Sequence, residues 1–103
     1  MSQDMQHTLK LTLRNESSQS PLHLSSLAPK DGWISPPPHH LDSGDAASCA
    51  ITTTSELAIT LRYGTHHIGI HLGNGTFGCD PGDARVERQK LDGHSAELTL
   101  VLS

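Results

Sequence analysis

The chain has 103 residues, a formal net charge of −4 and only 3% aromatic residues. That length suits one domain, residues 1–103, because two halves would each be too small to bury enough apolar surface. Its seven Lys and Arg are scattered without a basic run, which argues against a phosphate-neutralising face and so against nucleic acid as a partner.

Residues 1–6 read as a disordered tail. The start of the chain lacks the basic residues and apolar run of a secretory signal. No stretch approaches the ~18 apolar residues of a transmembrane segment. The expectation is a cytoplasmic protein, or one released without a signal peptide. Leu9, Leu11 and Leu13 then alternate with Lys10, Thr12 and Arg14, the period of a strand with one buried face, over about His7 to Asn15. A polar turn cluster from Asn15 to Pro21 leads to Leu22, Leu24 and Leu27, a short second strand expected to pair antiparallel with the first.

A third strand is predicted from Ala46 to Thr53, with Ala47, Cys49 and Ile51 sharing one parity. Leu57, Ile59, Leu61 and Tyr63 give the strongest alternation in the chain, in a strand from Glu56 to Tyr63. Gly64 and Thr65 make a hairpin turn into His66 to Leu72, whose Ile68, Ile70 and Leu72 face inward. Beyond the Gly73-Asn74-Gly75 turn, Thr76 to Cys79 is expected to pair with Ala84 to Gln89 across Asp80-Pro81-Gly82-Asp83, where Pro and Gly suit a type II turn. After Asp92-Gly93, Ala96, Leu98, Leu100 and Leu102 alternate in a terminal strand. No segment holds a helical period. The pattern is all-β, a compact antiparallel β-sandwich of six to eight short strands.

Between the second and third strands lies "DGWISPPPHHLDSGD", Asp31 to Asp45, with the only Trp and half of the six prolines. Pro36-Pro37-Pro38 must run extended, without backbone donors, so the stretch is a rigid crossover. It could hold Trp33 on the surface as an anchor for a lipid layer, a sugar or a partner pocket at low entropic cost. The alternative is that Trp33 folds back as a plug for a core poor in aromatics.

Eight histidines are unusual for this length, and charging them all on mild acidification would carry the chain from −4 to +4. Metal chemistry fails a spacing test. His66 and His67 point to opposite faces of a strand, and His67 and His71 lie about 13 Å apart, so they share no ion. Around His39 and His40 no zinc-like spacing recurs, and Asp42-Ser43-Gly44-Asp45 and Asp80 to Asp83 supply too few oxygens for calcium. The two cysteines, Cys49 and Cys79, form no disulfide framework, although a single bridge stays open; inward-facing Cys49 reads as a small buried hydrophobe. No nucleophile elbow or phosphate loop occurs, so neither an enzyme nor a cofactor is expected.

In order, "LKLTLRNESS", "HLSSLAPKDGWISPPPHHLDSGD" and "LAITLRYGTHHIGIHLGNGTFG" place Gly32 and Trp33 before prolines and a Gly44 turn, then an apolar strand ending in Tyr63, a second strand and an Asn-Gly loop. This pattern spans most of the chain and resembles the aegerolysin-like β-sandwich proteins. Those are small acidic chains that bind particular membrane lipids and in some cases recruit a larger partner to form pores. They are longer and richer in surface Trp and Tyr. The resemblance implies a non-enzymatic module recognising membrane lipid or glycolipid, with Trp33, Tyr63 and Phe77 as the aromatic candidates. Pro36, Pro37, His39 and His40 of the connecting loop complete the expected ligand-binding set. The alternative is a protein–protein module, such as an immunity protein or an accessory subunit masking a partner protein, because short edge strands can accept a partner's strand.

Overall fold

Leu9, Leu11 and Leu13 have no solvent exposure in the computed structural model, so the strand they alternate along is covered on its apolar face over its whole length. The structure describes residues 7–16, 22–28, 32–53, 56–73, 76–82, 84–92 and 95–102. The expected tail, residues 1–6, lies outside the described residues, as do most of the Asn15–Pro21 cluster, Asn74, Gly75, Asp83 and Gly93. Ten strands occur among the described residues: β1 (His7–Asn15), β2 (Leu22–Ala28), β3 (Trp33–Ser35), β4 (His40–Leu41), β5 (Ala46–Thr53), β6 (Leu57–Tyr63), β7 (His66–Gly73), β8 (Thr76–Asp80), β9 (Arg85–Asp92) and β10 (Ser95–Leu102).

They form two five-stranded sheets, ordered β3-β5-β1-β10-β9 and β4-β2-β6-β7-β8. The chain is thus an all-β sandwich. The inner face of the first sheet carries the leucines of β1 and β10 with Cys49 and Ile51 of β5. Opposite them stand Leu57, Ile59, Leu61 and Tyr63 of β6 and Ile68, Ile70 and Leu72 of β7, in one continuous core. Each fully buried Leu or Ile contributes about 1.5–3 kcal/mol relative to exposure, which is what drives the two layers together.

The eight strands read from the alternation are all present, and the structure adds two more. β3 and β4 have three and two residues, too short to show a period, and both lie inside the proline-rich connection. One pairing is parallel: β1 runs alongside β10 with Leu11 opposite Leu98 and Thr12 opposite Thr99. Every other pair is antiparallel.

Two local pairings expected from the sequence do not form. β1 and β2 lie in opposite sheets, because both edges of β1 are taken by β5 and β10. The uninterrupted alternation of β1 suits a central position, whereas β2 is broken by a bulge between Leu24 and Ser26. β8 and β9 also part, β8 pairing with β7 and β9 with β10. Their connection crosses from one layer to the other at Gly82, whose φ of 60° has the expected positive sign. A Cβ there would fall 2.5 Å from the His67 carbonyl oxygen, so only glycine lets the crossing pack against β7. The hairpin between β6 and β7 forms as expected, with Tyr63 opposite His66. Its Gly64 has φ 58° while Thr65 does not have positive φ, the pattern of a type II′ turn.

Candidate functional site

The connection from Trp33 to Asp45 is where the chain passes from the edge of one sheet to the edge of the other. β3 pairs with β5, setting Trp33 opposite Ile51 and Ser35 opposite Ala50, and the register slips between them. Ile51 points into the core, so Trp33 is turned inward; it is half-buried and packs against the core cluster. This is the plug arrangement. Ile34 is the extra residue of the bulge and is 64% exposed. Bulges of this kind re-aim one side chain out of the sheet's alternation. Among the described residues, Ile34 and Leu91 are the large hydrophobics classed as exposed, and Leu91 lies on β9 at the opposite edge of the first sheet.

Pro36 is exposed, Pro37 buried and Pro38 half-buried. Three hydrogen bonds then hold the remainder of the connection. Tyr63 Oη donates to the Pro38 carbonyl at 2.6 Å, the Leu24 N–H donates to the His39 carbonyl at 2.7 Å, and Asn15 Nδ2 donates to the Leu41 carbonyl at 2.8 Å. Beyond them, the Gly44 N–H donates to the Asn15 carbonyl and the Asn15 N–H to the Asp45 carbonyl, at 2.7 and 2.9 Å. The polyproline run stiffens the segment, and these bonds fix both its far end and its height above the core.

His39 and His40 are both exposed. His40 lies across from His23 of β2, their rings 6.1 Å apart and tilted by 48°. Among the described residues, no group of three or more His, Cys, Asp or Glu gathers to hold a metal ion.

The expected site residues therefore separate into two groups. Trp33, Pro36, Pro37, His39 and His40 lie along the one connection. Tyr63 does not present to a ligand: it is fully buried beneath the connection, and its role there is to hold Pro38. Burial first, and then the nearby Cys49, push its hydroxyl pKa up, so it stays a donor. Phe77 is half-buried on β8, at the edge of the second sheet away from β4, and belongs to no common surface with the rest. Sequence reasoning passed over Asn15, which has no exposure and holds the chain on either side of the turn, at Leu41 and at Gly44 and Asp45. It also passed over Ile34. An Asn closing an alternating strand is the one signal that could have flagged the first; nothing in the pattern signals a bulge at the second.

Cys49 and Cys79 are free thiols in different sheets. Cys49 is buried, donates to the Leu11 carbonyl at 3.5 Å, and has its pKa pushed up by burial to about 12. Burial, followed by the charge of Asp80, also raises the Cys79 thiol. Neither is an activated nucleophile, since activation lowers a thiol pKa. Among the described residues no helix is long and apolar enough to cross a membrane.

No protein-family model matches the chain, and no curated protein matches it.

Proposed function

We propose that the chain is a non-enzymatic binding module that recognises membrane lipid or glycolipid through the Trp33–Asp45 connection, as its resemblance to the aegerolysin-like proteins implies. The observation that carries this reading is Ile34, a 64% exposed aliphatic side chain on a bulge, followed by the exposed Pro36 on a segment pinned at Pro38, His39 and Leu41. Pinning lowers the entropy lost on binding, so a small apolar contact suffices for weak, specific attachment. Full burial of Ile34 is worth about 1.5–3 kcal/mol. The flanking His39 and His40 face the same solvent and supply polar contacts at headgroup level.

Co-sedimentation with vesicles tests it, using phosphatidylcholine alone and with added acidic lipid or glycolipid, at neutral and mildly acidic pH. Recruitment that Ile34→Ser weakens more than Trp33→Ala supports the reading, because Ile34 is exposed while Trp33 is held against the core. No recruitment with any composition would remove it.

A second reading, a protein–protein module, draws on β9. Its eight residues form the longest edge strand of the sandwich, at the side away from the connection. An edge of that length can accept a partner's strand. The two readings use opposite edges, so a partner whose binding survives Ile34→Ser would favour the second.

A further inference from the structure

Five of the seven Lys and Arg, scattered in sequence, come together on one sheet: Lys10 and Arg14 lie on β1, and Arg85, Arg88 and Lys90 on β9, while Arg62 lies on β6 of the other sheet. Their strand partners show which way they point. Arg88 lies opposite Thr99 and Lys90 opposite Glu97 on β10, while Lys10 lies alongside Glu97 from the other side. These positions alternate with the buried leucines, so all belong to the outer face of the first sheet. Two adjacent rungs cross it. One reads Ser48, Thr12, Thr99, Arg88 and the other Ala50, Lys10, Glu97, Lys90, from β5 through β1 and β10 to β9.

Small side chains along the first rung, with Arg88 at its end and the longer Lys10 and Glu97 of the second rung beside them, leave a groove of about 430 Å³ lined by Lys10, Thr12, Ser48, Arg88, Glu97 and Thr99, and bounded by Ser35 of β3. That volume lies within the range of small-ligand sites. Its floor is a row of three hydroxyls spaced by the ~4.8 Å between strands, each gap of the order of one sugar ring. Its lining charges are Lys10 and Arg88 against Glu97, with Lys90 the strand neighbour of Glu97 beyond the lining, a positive surplus on a chain of net −4. Arg88 reaches Glu97 at 3.5 Å, and no ion pair of Lys10 or Lys90 occurs among the described residues. At the Arg14 end the cations are matched instead, Arg14 pairing with Glu16 and Glu87 and Arg85 with Glu87. The positive surplus is therefore concentrated over the hydroxyl row.

We propose that this face binds a polyhydroxylated ligand carrying one anionic group, a sugar acid or sugar phosphate. Thr12, Ser48 and Thr99 exchange hydrogen bonds with ring hydroxyls, Glu97 accepts one, and Lys10 and Arg88 hold the anion, with Arg able to bind it bidentately. This site is separate from the Trp33–Asp45 connection and does not rest on the reading of that segment.

The test titrates the full chain with D-glucuronate and glucose 6-phosphate, following backbone amide shifts, with glucose and inorganic phosphate as controls. A second arm uses vesicles bearing a glucuronosyl glycolipid. Thr12→Val with Thr99→Val removes two hydroxyls while keeping shape at outward positions, and thermal melting checks that the fold is intact; Lys10→Gln removes a cation. The expected result is saturable shifts centred on Lys10, Thr12, Ser48 and Thr99 at millimolar sugar acid. Affinity should fall about tenfold or more in the double Val variant. Binding of the soluble sugars identifies a free ligand; vesicle binding alone, lost in the double variant, identifies a headgroup. Either supports the proposal. Absence of binding in both arms, an equal response to inorganic phosphate, or an undiminished affinity in the double variant would overturn it.

Discussion

Replacing Tyr63 by Phe removes one oxygen atom and leaves the packing of a fully buried ring in place, so it isolates the hydrogen bond that holds the connection to the core. The lost contact is a 2.6 Å bond to the Pro38 carbonyl. A typical net hydrogen bond is worth about 0.5–1.5 kcal/mol, and an acceptor left buried without a partner costs about 1–3. Pro38 is half-buried, so water can restore part of what is lost, and the expected destabilisation is about 1–2 kcal/mol. For a domain near this size that lowers Tm by roughly 5–10 °C. Urea unfolding should show a reduced midpoint with an unchanged slope, since the surface exposed on unfolding is the same. Because the chain has a single Trp, at position 33 in the same connection, its fluorescence reports locally. Acrylamide should quench Trp33 more readily in the variant. A midpoint unchanged to within about 0.3 kcal/mol, together with unchanged quenching, would refute the argument and leave the polyproline run as the sole restraint.

Other substitutions draw on the same geometry. Leu11→Ala empties a site with no exposure between Leu98 and Cys49 and should cost about 2–5 kcal/mol in denaturant unfolding; Leu91→Ala, at 37% exposed, should cost under about 0.5. Gly82→Ala forces a Cβ against the His67 carbonyl at a φ of 60° and should destabilise by about 1–3 kcal/mol, visible as a lowered Tm, whereas Gly78→Ala, with open space around it, should not. Cys49 keeps its proton up to about 12 when folded, against 9.0 for the ordinary thiol. The stability this contributes is complete below pH 9 and is lost as pH rises toward 12, a change on the order of 4 kcal/mol at completion. Urea midpoints measured from pH 8 to 11 should therefore fall less steeply in Cys49→Ala than in the parent, and parallel profiles would count against the burial of this thiol.

Much of the fold is legible because alternation is a local property. Leu9, Leu11 and Leu13, or Leu57, Ile59 and Leu61, declare a strand and its inward face with no knowledge of the partner strand. The turn residues are local too: Gly64 and Gly82 take the positive φ that their positions demand. Cys49 reads as core from its parity alone and is buried as expected. Of the candidate site, the stiff proline crossover could be read directly from the chain.

Partner choice is another matter, and it accounts for the strand pairings that differ from the local expectation. Whether β1 joins β2 or β10 depends on which strands compete for its edges, over separations that no neighbouring residue encodes. Adjacent strands therefore fell into opposite sheets, β1 with β2 and β8 with β9. The same competition pairs β3 with β5, and the slip in that pairing turns Ile34 outward beside an inward Trp33. Five of the scattered Lys and Arg came to share one face only when β1, β10 and β9 were laid side by side. The alternation determined what each strand buries; the stacking of two layers over a shared core decided which surfaces were left to meet a ligand.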